Sequence, residues 1–186
     1  TVSENRPTYP GREGRSVMRR TTATTEYLKE CMGTALLELM REKPVEKISI
    51  EEMTARADVG RSTYFRYFNN KDEVLAFKLC CMWKRFAQQH NLADFRANQP
   101  AAVRLFVEFC LSIRDISDLL YASGHQTVIL DAYLQILTTD SPEGEDVTEY
   151  YKNQGVAYAL YGIINAWILR GYRESPEEMT AILCNL

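Results

Sequence analysis

Apolar side chains recur along this chain at three- and four-residue intervals, the period of helices buried on one face. A first helix is predicted from about Thr22 to Glu42, where Leu28, Cys31, Met32, Ala35, Leu36 and Leu39 form one stripe. Three short helical patterns follow between Lys47 and Leu75. The last of them continues to about Asn91, with Val74, Leu75, Phe77, Leu79, Met82, Trp83 and Phe86 spread over more than one side, as expected of a helix joining two packing units. Beyond Asn91 nothing alternates as a strand would. Helices are expected from Pro100 to Arg114, Ile116 to Ala122, His125 to Leu137 and Val147 to Tyr172, with a polar loop over Thr138 to Asp146 and a last helix opened by Ser175-Pro176-Glu177-Glu178. The predicted fold is all-α.

The segment from Lys47 to Leu75 is the most specific. Ser49 with Glu52 and Asn70 with Glu73 each have capping-box spacing. Ile50, Met53 and Ala57 give the first short helix an apolar side; Asp58-Val59-Gly60 breaks it, Gly60 serving as turn residue or as N-cap of the next. That next helix, Arg61 to Tyr67, begins Arg61-Ser62-Thr63-Tyr64, side chains suited to base edges, while Phe65 and Phe68 are expected to pack inward. Two helices, a tight turn and a third capped helix make a helix-turn-helix, which sets its second helix in the major groove of DNA. Arg61, Ser62, Thr63 and Tyr64 are therefore candidate readers of bases, and Ser49, Tyr67, Lys71, Arg20 and Thr25 candidate phosphate contacts. The bland alternative is a helical hairpin with no nucleic-acid role.

Residues 48–75 resemble the N-terminal domain of the tetracycline-repressor-like (TetR/AcrR) regulators. The likeness rests on Ala55-Arg56-Ala57-Asp58-Val59-Gly60, on Ser62-Thr63-Tyr64-Phe65-Arg66-Tyr67-Phe68, and on Asn70-Lys71-Asp72-Glu73-Val74-Leu75. The family's usual Leu/Phe-Tyr pair stands reversed here as Tyr64-Phe65, and Phe65 has no hydroxyl for the phosphate contact that the family tyrosine makes. Tyr67 falls at the family's His/Tyr place and keeps its role, and Gly60 replaces a common Ser. The resemblance implies a three-helix DNA-binding domain, dimerisation through the last two helices, and an effector held between helices of the second domain.

The net charge of −3 hides a split. Residues 1–90 carry 16 Lys/Arg against 12 Asp/Glu, and residues 91–186 carry 6 against 13, so the field that attracts phosphate is confined to one end. Residues 1–20, with Pro7, Pro10 and five arginines, read as a flexible basic arm, or as a leader without a role if Met18 is an alternative start. The five cysteines, Cys31, Cys80, Cys81, Cys110 and Cys184, form no C-x-x-C pair and suggest reduced thiols in a cytoplasmic protein. Cys80-Cys81 is either a thiol sensor or two buried helix residues. Nothing matches a nucleotide loop, zinc-ligand spacing or nucleophile motif, so no enzyme, cofactor or metal is expected. No signal peptide or membrane-spanning run is visible, Val156 to Leu169 being too short and broken by Gly162 and Asn165.

The division expected is an arm over 1–20, a helix-turn-helix domain over 21–70, a connecting helix over 71–90, and an effector-binding and dimerisation domain over 91–186. Val147 to Tyr172 is apolar all round, so its extra side is expected to meet another chain, with Tyr161, Ile164, Ile168, Met179, Ile182 and Leu183 at a two-fold interface. Phe106, Phe109, Cys110, Tyr133, Tyr158 and Tyr161, with His125, are candidates for an effector pocket; the same aromatics also suit an ordinary core, and His125 a satisfied or exposed position. The function expected is a homodimeric repressor released from a palindromic operator by a small molecule. Its rivals are control by a protein partner, control by thiol oxidation, and a helical enzyme.

Overall fold

The computed structural model describes residues 13–92, 100–137 and 147–185, and side chains from residue 24 onward. Every regular element described is helical: α1 (Glu13–Met40), a 3-10 turn (Val45–Lys47), α2 (Ile50–Arg56), α3 (Arg61–Tyr67), α4 (Lys71–Gln89), α5 (Pro100–Ser112), α6 (Arg114–Ala122), α7 (Thr127–Leu137), α8 (Val147–Leu169) and α9 (Pro176–Cys184). The all-α expectation is met. Residues 1–12 of the arm expected over 1–20 and the loop over residues 138–146 lie outside the described residues, as does the Arg20 side chain.

One contiguous hydrophobic core runs through the described helices. At one end Met32, Leu36 and Leu39 of α1, Met53 of α2 and Tyr64 of α3 are buried against Val74 and Leu75 of α4. At the other, Trp83 of α4 meets the rings of Phe106 and Phe109 of α5 at centroid distances of 6.0 and 5.2 Å. α4 packs on α1 and on α7, and thus carries the core from one half to the other, as its two apolar sides suggest. Gly33 permits the α1–α4 contact: a Cβ there would stand 2.6 Å from the Lys78 Cβ. Beside it Lys78 and Arg85 of α4 reach the Glu30 carboxylate of α1 at 2.9 and 2.7 Å. Burial would raise the pKa of Glu30, yet the hydrogen bonds from Lys78 and Arg85 hold it below the usual carboxylate value.

Several expected ends move. α1 starts at Glu13, nine residues before Thr22, because Gly14 costs little in a first turn and Met18, Arg19 and Arg20 are good helix formers; the arm predicted over residues 1–20 therefore cannot extend past residue 12 as coil. α8 ends at Leu169 instead of Tyr172, since Gly171 takes a φ of +74° and the amides of Gly171 and Tyr172 turn back onto the carbonyls of Ile168 and Trp167. Only Ser175–Glu178 closes as a full capping box. At α2 Ser49 accepts from the Glu52 amide, but the Glu52 carboxylate goes to the Lys43 ammonium at 2.5 Å. At α4 Asn70 accepts from the Glu73 amide, while the Glu73 carboxylate takes the Asn69 amide at 2.9 Å.

Candidate nucleic-acid interface

The α2–α3 turn is made by Asp58, whose φ is +53°; the Val59 amide then bonds the Thr54 carbonyl at 2.9 Å and the Val59 side chain is buried. Gly60 has extended backbone and is the N-cap of α3, without a side-chain cap. This leaves the first-turn amides of α3 free of a side-chain oxygen at the cap, the condition under which a helix start accepts an outside anion.

α3 is divided by exposure. Tyr64 is 3% exposed and Phe68 6%; their rings lie 6.1 Å apart, and Phe68 meets Phe77 of α4 at 6.0 Å. Phe65 is 64% exposed, and Arg61, Ser62 and Arg66 are exposed beside it. These four, at i, i+1, i+4 and i+5, form one outward strip. Two expectations are corrected here. Tyr64 is a core residue and does not reach a base, and Phe65 does not pack inward. The residue four before Phe68, and not the one three before it, shares its face. The reversed Tyr64-Phe65 order contained the clue, since Tyr64 fills the place of the family's apolar residue. Arg66 was missed altogether; its place one residue beyond Phe65 is the only sign of it in the sequence.

The other candidates are placed as follows. Arg61 is held loosely by Glu51 of α2 at 3.7 Å, an exposed pair that solvent weakens. Thr63 is half-buried. Ser49 is engaged in capping α2. Lys71 turns inward, donating to the Val45 carbonyl at 2.6 Å, so it ties α4 to the 3-10 turn and does not point to solvent as a phosphate contact would. The Tyr67 hydroxyl is hydrogen-bonded to Thr25 of α1 and to Arg66, which together lower its pKa. Lys29 of α1 stands 3.9 Å from the Phe77 ring centroid and 5.8 Å from that of Tyr67. Thr25 and Tyr67 thus come together at the α1–α3 junction, where they fix the angle at which α3 is presented.

Residues 34–76, from the last two turns of α1 to the first half of α4, match the model of the family described as bacterial regulatory proteins, tetR family. Residues 34–76 thus form a domain of the tetR family, and the protein that carries it is a DNA-binding transcriptional regulator. No curated protein matches the chain.

Outside the matched domain, the protein departs from several expected contacts. Phe109, Cys110 and Tyr133 do line one cavity between α5, α7 and α8, but its volume is about 20 Å³; a second, against Phe106 and Trp83, has about 10 Å³. Each has room for about one water. The Cys110 thiol and Tyr133 hydroxyl face each other at 3.8 Å, and burial raises the thiol pKa to about 12. Tyr158 and Tyr161 line neither cavity, and Tyr158 is 57% exposed.

His125 is not a pocket residue either. From the α6–α7 turn its Nδ1 meets Asp72 at the start of α4 at 2.7 Å, and its Nε2 lies 3.6 Å from Glu46 in the 3-10 turn. At the other end of α6, Asp115 meets Arg41, just past the end of α1, at 2.9 Å. α6 is therefore fastened to the DNA-binding unit at both ends.

The expected dimer residues also divide. Ile164, Ile168, Met179 and Leu183 are buried within the protomer, because α8 and α9 need an inner face against α5 and α7. Ile182 is exposed and Tyr161 half-buried. The outward side of α8 instead carries Gly155, Tyr158, Ala159, Gly162, Ala166 and Leu169. Among the described residues no helix is long and apolar enough to cross a membrane, and no group of His, Cys, Asp or Glu is placed to hold a metal ion.

Proposed function

We propose that this protein is a cytoplasmic repressor that binds a palindromic operator as a homodimer and leaves it when a small-molecule effector reshapes its second half. One observation carries the reading: Tyr64 and Phe68 anchor one side of α3 in the core while Arg61, Ser62, Phe65 and Arg66 face solvent on the other. Arg61 and Ser62 stand in the first turn, the part of a recognition helix that meets base edges, and Thr63 beside them reaches the flanking backbone. Thr25 and Tyr67 belong to the flank assigned to phosphate, and Arg20, earlier in α1, is given the same role from its sequence position alone. The DNA-binding domain takes residues 21–70, α4 links it to the rest, and residues 91–186 supply pairing and control.

Pairing uses the outward face of α8 together with Ile182 of α9. Glycine inside a helix costs about 0.5–1 kcal/mol relative to alanine, and a Cβ at Gly155 or Gly162 would meet nothing within 4 Å in the protomer. The backbone there is left open for the close approach of a second α8. The pair would set its two α3 helices ~34–36 Å apart, or a multiple of that, to reach successive major-groove faces.

The effector would have to enlarge the space around Phe109, Cys110 and Tyr133, because ligand sites are usually ~300–1,000 Å³. That tightness favours a second reading, in which a protein partner acts on the second half without a pocket. Thiol control is not supported: Cys80 is buried, its thiol is raised by desolvation to about 12, and it lies against the Ala132 carbonyl at 3.5 Å. Cys81 is half-buried and also raised, chiefly by burial.

The test is a selection from random duplexes with the full chain, followed by sedimentation of the enriched duplex with protein. A palindromic consensus bound by two chains supports the reading; enrichment of a non-palindromic site by one chain contradicts it. Release by compounds from a metabolite set separates the effector from the partner.

A further inference from the structure

The exposed ring on α3 has no task in a scheme of arginine forks and phosphate contacts. Phe65 is 64% exposed, and its ring neighbour among the described residues is Tyr64, met edge-on at 5.2 Å on the side toward the core. Around it stand Arg61 four residues before, Ser62 three before and Arg66 next to it, so the phenyl lies inside the polar strip and not at its rim. If α3 enters the major groove, as proposed above and on which this inference rests, Phe65 enters with it.

A phenyl group neither donates nor accepts an ordinary hydrogen bond. It gains nothing against guanine O6, the N7 atoms or the amino groups of adenine and cytosine, and it desolvates them without compensation. Phosphate oxygens offer it nothing either. The apolar group on the major-groove edges of the four base pairs is the C5 methyl of thymine. We infer that Phe65 is a specificity-determining residue that selects thymine, through its methyl group, at one position in each half-site. Arg61, one helical turn earlier on the same side, then addresses a neighbouring pair, so that an apolar and a cationic reader are set side by side along the groove.

The experiment replaces one methyl at a time. A duplex enriched from a random pool by the full chain is resynthesised with deoxyuridine at each thymine in turn, and affinities are read by fluorescence anisotropy at fixed salt. Deoxyuridine keeps every hydrogen-bonding group of thymine and removes only the methyl. One thymine per half-site should show a loss of about fourfold, and both together about fifteenfold, the worth of one and two buried methyl groups. In Phe65→Ala protein that penalty should vanish, and in Phe65→Leu protein it should persist in part. Because the side chain is exposed, both variants should keep the thermal transition of the parent, which is checked first. A parent indifferent to every deoxyuridine, or a penalty of equal size in Phe65→Ala protein, overturns the inference while leaving the DNA-binding reading intact. Failure to enrich any duplex overturns both.

Discussion

α3 and α8 both present apolar surface to solvent, yet they do so for opposite reasons. α3 is seven residues long and has two unlike sides, an aromatic one anchored by Tyr64 and Phe68 and an outward one bearing Arg61 and Arg66. α8 has 23 residues and no polar side to speak of; Trp167, Ile164 and Ala157 are buried, while Tyr158, Val156 and Leu169 are left out. On α3 the exposed rings of Phe65 and Tyr67 sit among charges, the composition of a surface that meets a polyanion. On α8 exposed rings sit beside Gly155, Ala159, Gly162 and Ala166, the composition of a surface that meets another helix. A sequence that fails to hide its apolar residues thus gives different information according to what surrounds them.

The comparison breaks most readily at Tyr64. Tyr64→Ala should cost about 3–5 kcal/mol, read from the urea midpoint, because it empties the centre of the helix-turn-helix core. Phe65→Ala, one residue away, should stay within about 0.5 kcal/mol of the parent. Equal losses at the two positions would mean that α3 is not divided as described. On α8, Gly162→Glu with Ala166→Glu places carboxylates where two copies would meet. Sedimentation should show the affinity of the two copies for each other lowered by about a hundredfold, roughly 3 kcal/mol. An unchanged dimer would put the interface elsewhere.

Smaller effects test the joints between the halves. Glu30→Gln should remove about 1–2 kcal/mol by leaving Lys78, only 11% exposed at its side chain, without its carboxylate. The folded pKa of Glu30 lies below its ordinary 4.5. Its contribution is therefore full above the unfolded value and fades as the pH falls through the folded one. Acid titration of parent and variant should converge below pH 4.5 and stay parallel above it. His125→Ala should cost about 1 kcal/mol and separate the melting of the DNA-binding unit from that of the second half, seen as probe-dependent transitions. Coincident transitions in the variant would show that the Asp72 and Glu46 contacts do not join the two.

The helix-turn-helix was legible because it is built from local rules. Ser49, Gly60 and Asn70 mark helix starts by chemistry that acts within four residues, and the structure keeps each of them as an N-cap. Side chains that answer to distant partners were harder to read. Glu52 was expected to cap its own helix, but Lys43 offered a full charge within reach. Lys71 looked free to take a phosphate, but folding brings the Val45 carbonyl beneath it. His125 was grouped with the aromatics of the second half, and nothing local announces that the α6–α7 turn abuts Asp72 and Glu46. On α8, the apolar pattern was clear but not its phase: with apolar residues on every side, periodicity could not say that Ile164 and Ile168 point in and Tyr158 out.

The central claim is that the outward strip of α3 enters DNA. Ser62→Glu puts a carboxylate into that strip, between Arg61 and Phe65, without touching the core. With the selected duplex, anisotropy should show affinity lowered by at least about a hundredfold at moderate salt while the thermal transition is unchanged, as expected for a like charge forced against phosphates and base edges. Parental affinity in that variant would contradict the account.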